Sequence, residues 1–170
     1  MRWTLLLLLI SSCFLLQVKA ATPTADQESA INSFLDDFHL AAAHADFDGY
    51  FSRFATEGIF MGTDAGERWT VSAFKDYARD SFSRGQGWTY LPLERHINIS
   101  DQGKIAWFDE ILTNTRLGRC RGTGVLTQVD GAWRISHYSL TLLIPNSIAA
   151  AVGEQSLLAD LANRSPDTAP

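Results

Sequence analysis

The sequence predicts an α+β domain in which helices cover one face of an antiparallel sheet. Two observations carry that expectation. Apolar residues recur at helical spacing as far as about residue 83, and beyond Gly85 and Gly87 the period becomes that of strands. No internal repeat or Pro-rich linker separates the two halves. Helices first and a meander afterwards therefore read as one layered unit.

In the first half, Ile31, Phe34, Leu35, Phe38, Ala42 and Ala45 share a helical face, with Asp36, Asp37 and His39 elsewhere. A polar segment at residues 22–28, TPTADQE, reads as a flexible lead-in to this helix. Asp48 is placed to cap a short second helix carrying Phe51 and Phe54. Ile59 to Met61 can form a short strand. Thr70 caps a third helix through about Ser83, with Val71, Phe74, Tyr77, Ala78 and Phe82 on its buried side.

The segments WTYLPLERHINIS, KIAWFDEILTNT, RCRGTGVLTQV and AWRISHYSLTLLI are rich in β-branched and aromatic residues and read as strands. Asp130-Gly131 between the last two is a strong hairpin signal. Pro145 ends the last strand. A C-terminal helix follows, with Ile148, Val152, Leu158 and Leu161 as its apolar side, and SPDTAP forms a frayed end.

Residues 1–20 stand apart from this unit. Arg2, an apolar run and the small-residue site Val18-Lys19-Ala20 read as a signal peptide cleaved near Ala20/Ala21. The run is short for a membrane span, and the expected location is periplasmic or secreted. Cys13, preceded by two serines, offers a lipoprotein signal as the alternative, although apolar residues continue after it. Without Arg2 and Lys19 the chain has 12 basic and 19 acidic residues, a formal charge of −7. That balance argues against nucleic acid and anionic lipid as partners. With Cys120 as its one remaining cysteine, the mature chain closes no internal disulfide.

Three segments, HADFDGYFSRFATEGIF, GTDAGERWTVSAFKDY and RGTGVLTQVDGAWRISHYSLTLLIPN, resemble the SnoaL-like group of the nuclear transport factor 2-like (ketosteroid isomerase-like) superfamily. With the order of elements, the resemblance covers residues 27–146 and leaves residues 147–170 as a C-terminal helix and tail. It implies a cone: a curved antiparallel sheet wrapped over three helices, with a pocket at the wide end and a homodimer through the sheet's outer face. Members range from isomerases and hydrolases to binding and scaffold domains, so fold does not decide activity. Aligned on Asp46 of the shared D-x-D-G segment, the isomerase tyrosine falls on Phe38, its base on Gly62 and its second acid near Val125. None carries the needed group, and ketosteroid isomerase chemistry is excluded.

The remaining candidates come from strand alternation. Trp133, Ile135, His137, Ser139 and Thr141 share one face, which places His137 inside the cone as an acid/base or as a satisfied core histidine. Asp109 and Glu110 are adjacent, so one of them points inward, and Arg119 and Arg121 share a face of the next strand. Asp64 is either a turn residue or a displaced base. The pocket is expected to be lined by Phe60, Trp69, Trp88, Tyr90, Trp107, Arg121 and His137, since ligand sites combine apolar walls with few polar groups. His39 and His44 are five apart, not the four that would align two imidazoles, and neither a metal nor a cofactor is expected.

Three functions follow: a binder of a small, partly apolar molecule; a lyase, isomerase or hydrolase using His137 with Asp64 or Glu110; or a non-catalytic assembly domain whose cone its own side chains fill. N-terminal sequencing of exported material should start at or near Ala21. A diacylglycerol group on Cys13 would overturn that expectation.

Overall fold

The computed structural model describes residues 25–163. The predicted export signal at residues 1–20 and the tail at residues 165–170 lie outside the described residues. Helix α1 (Ala25–Ala43) begins inside the segment expected to be a flexible lead-in, with Asp26 and Glu28 in its first turn, where the helix dipole favours negative charge. Ile31, Leu35, Phe38, Ala41 and Ala42 are buried along it. His39, which the helical pattern left off the apolar face, is buried as well.

After α1 the chain turns through Ala45, whose φ of 53° breaks the helical repeat. The cap of helix α2 (Phe47–Phe51) is consequently Asp46, whose carboxylate accepts from Gly49 N at 3.0 Å. Asp48, the expected cap, sits in the first turn instead. Strand β1 (Phe54–Met61) leads through a tight turn to the short β2 (Arg68–Thr70). Thr70 then caps α3 (Val71–Ser83), accepting from Ala73 N at 3.3 Å.

Strands β3 (Leu91–Ile99), β4 (Ile105–Asn114), β5 (Gly118–Val129) and β6 (Ala132–Leu142) form the predicted antiparallel meander. The six strands order as β2-β1-β6-β5-β4-β3. One pairing departs from an antiparallel sheet: β1 lies parallel to β6. Helix α3 carries the chain from β2 across to β3 at the opposite edge. The result is a curved, unclosed mixed sheet over three helices, the cone fold that the sequence implied.

Between sheet and helices lies a core rich in aromatic rings. Phe38 stacks on Tyr50 at 4.7 Å, Phe60 on Phe74 at 4.0 Å, and Phe60 lies nearly parallel to Tyr138 at 5.7 Å. Such pairs add to the burial of their large apolar areas. Along β6 the register shifts opposite Val125 and Leu126, whose partners are His137 and Ile135. Ser136 is the extra residue of this bulge, and it breaks the period of two. Ile135, Tyr138 and Leu140 therefore all face the core.

On the outer face, Asn98, Trp107, Val125 and His137 form one cross-strand row, in which Trp107 is 48% exposed. Helix α4 (Ala149–Asn163) buries none of its residues, and Leu157, Leu158 and Leu161 are exposed on it. No described helix is long and apolar enough to cross a membrane.

The inner face leaves no room at Gly122. A Cβ there would run into the Tyr138 hydroxyl and stand 2.8 Å from Glu110 Oε1. Gly122→Ala is expected to destabilise the fold by about 1–3 kcal/mol, the usual cost of overpacking. Chemical denaturation should show a lowered midpoint, and an unchanged midpoint would contradict the packing described.

Candidate functional site

The C-terminal ends of β1, β6 and β4 and the N-terminal ends of β5 and β3 meet at one end of the sheet. Here a cavity of about 160 Å³ opens among the turns. Phe60, Trp69, Phe74, Tyr77 and Trp88 give it aromatic walls, with Leu117 and Leu140 completing the apolar lining. Several of these rings are nearly coplanar in orientation: Trp69 and Phe74 differ by 6°, Phe74 and Trp88 by 18°, and Trp69 and Tyr77 by 25°.

The polar lining comes from two turns. The β1–β2 turn supplies Gly62, Thr63 and Glu67, and the β4–β5 turn supplies Arg116. The first is held by Gly62 N donating to Glu67 O at 2.9 Å and Glu67 N to Asp64 O at 3.0 Å. The second is held by Asn114 Oδ1, which accepts from Arg116 N and Leu117 N at 2.9 Å each. Asn114 Nδ2 also donates to Thr89 O at 2.9 Å, which ties this turn to the segment bearing Trp88 and Tyr90. The Tyr90 hydroxyl is pushed up from its ordinary value, first by burial and then by the Cys120 thiol nearby.

Deeper in the cone, Phe60, Trp88, Tyr90 and Leu140 are shared with a second cavity of only about 10 Å³. That is room for about one water molecule. Phe38, His39, Tyr50 and Tyr138 line its far side. Behind them lies the most buried charge of the described residues, the Glu110 carboxylate, at 0% exposure.

Glu110 Oε1 accepts from His39 Nε2 at 2.8 Å and from the Tyr138 hydroxyl at 3.1 Å. Its Oε2 accepts from Arg95 Nε at 2.9 Å. Arg95 Nη1 reaches on to Asp36 Oδ1 at 2.9 Å and to Asn32. Burial by itself would raise the carboxyl's pKa, but the hydrogen bond and charge of His39, with those of Arg95, outweigh it. The carboxyl is consequently held below the ordinary glutamate value and stays ionised. Burial, then the charge of Glu110, pushes the Tyr138 hydroxyl well above its usual value, so it remains a donor.

This arrangement contains a carboxylate-oriented imidazole, the form of a general base. However, the imidazole opens on a space the size of one water, and the carboxylate is already balanced by Arg95. What the geometry supports directly is a latch between helix and sheet. Among the described residues no group of three or more His, Cys, Asp or Glu side chains could hold a metal ion.

Phe60, Trp69, Trp88 and Tyr90 line the cavity at the wide end. Trp107, Arg121 and His137 do not, and these three expectations are corrected. Trp107 and Arg121 alternate with the buried Phe108 and Gly122, so both face outward. His137 is turned outward by the Ser136 bulge, which the strict alternation used for that strand did not contain. Asp64 is exposed in the β1–β2 turn, where its side chain accepts from Gly66 N at 2.8 Å, so it serves the turn. Glu110 does point inward, but its partner is His39, not His137 or Arg121. His39, Arg95 and Tyr138 were missed because no local signal joins residues from one helix and two strands.

The SnoaL-like domain family matches residues 31–145, and the chain belongs to it. Solved structures share the fold at low sequence identity. An NTF2-like protein of unknown function from Pseudomonas putida is 12% identical, covers 72% of this chain and 91% of its own, and has a TM-score of 0.61. A protein with a cystatin-like fold from Nostoc punctiforme, also of unknown function, is 15% identical, with 74% and 96% covered and a TM-score of 0.60. A candidate ketosteroid isomerase from Shewanella frigidimarina is 21% identical, with 67% and 96% covered and a TM-score of 0.54. No curated protein matches the chain.

Removing the Glu110 carboxylate takes the acceptor from His39 and from the Tyr138 hydroxyl, and leaves Arg95 with Asp36 and Asn32 alone. Glu110→Ala should therefore cost about 3–5 kcal/mol, the loss typical of a buried pair deprived of one partner. Because the folded carboxyl titrates below its unfolded value, its stabilisation is complete above about pH 4.3 and is lost as pH falls through the folded pKa. Thermal melts of the wild type should drop across that acidic window, and Glu110→Gln should flatten the drop. Equal acid sensitivity in both proteins would remove Glu110 from the latch.

Proposed function

We propose that this SnoaL-like protein is an exported, homodimeric binder of a small, partly apolar molecule, held at the wide end of the cone. The observation that carries the reading is the aromatic-walled cavity of about 160 Å³, beside which the second cavity, deeper in the cone, has room for about one water. An engineered apolar cavity of about 150 Å³ is enough to take up benzene. Rigid aromatic walls give contact area with little conformational entropy to lose, which suits a preformed site.

Pairing of two copies is supported by the outer face of the sheet. Trp107 is 48% exposed there, directly across from Val125, and Ile111 follows on the same face of β4 beyond Asp109. Apolar residues on that face are consistent with an antiparallel sheet covered on both sides. A pure assembly role, with the cone filled by its own side chains, fits the core but not the open cavity at its mouth.

Native mass spectrometry tests both parts at once. Incubated with a panel of single-ring compounds, the protein should appear at dimer mass and carry adducts. Leu117→Trp, which fills the mouth, should lose the adducts and keep the dimer. Adducts that survive this substitution would place binding elsewhere, and a monomer mass at micromolar concentration would remove the dimer.

A further inference from the structure

The two charged groups in the cavity lining are not equivalent, and their difference specifies a ligand. Glu67 Oε2 already accepts from Asp64 N at 3.2 Å, and its carboxylate fills the space beside Gly62 that a Cβ would need. Its Oε1 has no hydrogen-bond partner among the described residues, and Glu67 is part of the cavity lining. Arg116 lines the same cavity from the β4–β5 turn, and β6 and β5 lie between that turn and β1 in the sheet; the charges of Arg116 and Glu67 both act on the Tyr90 hydroxyl, in opposite directions. The backbone at Arg116 is pinned by Asn114, while its guanidinium makes no ion pair or hydrogen bond among the described residues. No other arginine of the described residues is part of this lining.

An exposed guanidinium with no partner among the described residues, beside an aromatic slot, suits a planar acid, because its fork of donors matches a carboxylate. A carboxylate in the same lining repels a second anion and accepts from a donor. The cavity of about 160 Å³ has room for about one ring, judged by the size of cavity that takes benzene.

We infer that the cavity binds a small single-ring aromatic carboxylate that carries a hydrogen-bond donor at its far end. The acid lies on Arg116, the ring between the aromatic walls, and the donor toward Glu67. This rests on the reading of the cavity as a ligand site and adds the charge and polarity of what enters it.

Isothermal titration calorimetry with 4-hydroxybenzoate, its neutral amide 4-hydroxybenzamide, and benzoate tests the inference. The acid should bind about tenfold or more tightly than the amide, the value of one charge-assisted contact. Arg116→Gln should bring the acid's affinity down to that of the amide, and an unchanged thermal melt shows that the variant is folded. Glu67→Gln should reduce the advantage of 4-hydroxybenzoate over benzoate, and added salt should weaken only the acids. An amide that binds as tightly as the acid, or a preference that survives Arg116→Gln, overturns the inference while leaving the cavity reading in place. Absence of saturable heat from all three compounds at millimolar concentration overturns both.

Discussion

A full negative charge at the centre of an apolar core must be answered on every side, and the way Glu110 is answered determines how the two layers meet. His39 reaches it from α1, Arg95 from β3 and Tyr138 from β6. Arg95 then returns to α1 through Asp36 and Asn32. The helix is thereby held at two places about two turns apart, against strands from different parts of the sheet. Apolar contacts alone tolerate sliding of a helix along a sheet, whereas a carboxylate with fixed hydrogen-bond partners does not. The absence of a side chain at Gly122 belongs to the same arrangement, because Glu110 and Tyr138 occupy the space above it.

From that fixed helix the position of the cavity follows. Phe38 and His39 fill the narrow part of the cone, and Tyr50, Phe54 and Phe74 pack around them. Phe60 spans the boundary, touching Phe74 and Tyr138 on one side and lining the open cavity on the other. The interior is thus packed below and open above, with the charges of the cavity lining, Glu67 and Arg116, on the two turns at its rim. Binding in such a place depends on what the two rim turns present, and both turns are held by their own side chains.

Much of this was legible in the chain because it is local. Thr70 as a cap, the buried stripe of α3 and the Asp130-Gly131 hairpin depend on neighbours within a few residues. Four aromatic wall residues could be named because large rings beside turn residues at the strand ends have few other places to go. What could not be read depends on distance or on a single residue of slippage. Ser136 shifts the period of β6 by one and sends His137 to the opposite face, although nothing in its identity marks a bulge. The partnership of His39 with Glu110 spans 71 positions and has no periodic signature. Arg121 and Trp107 were assigned inward for the same reason, since the direction of a whole strand hangs on its register.

The parallel pairing of β1 with β6 has a further consequence for how the chain reaches this structure. Phe60 lies beside Tyr138, so the sheet's first long strand has no lateral neighbour in the meander until the last strand exists. Closing a loop of that length carries an entropic cost before any long-range contact offsets it. Helices α1 to α3 and the β3–β5 meander can form from local contacts, but the aromatic core remains incomplete until β6 arrives. The exposed rings of Phe54, Phe60 and Phe74 in that interval are the surface through which an unfinished chain would associate with another. Topology, more than stability, therefore sets the moment at which this domain is most vulnerable.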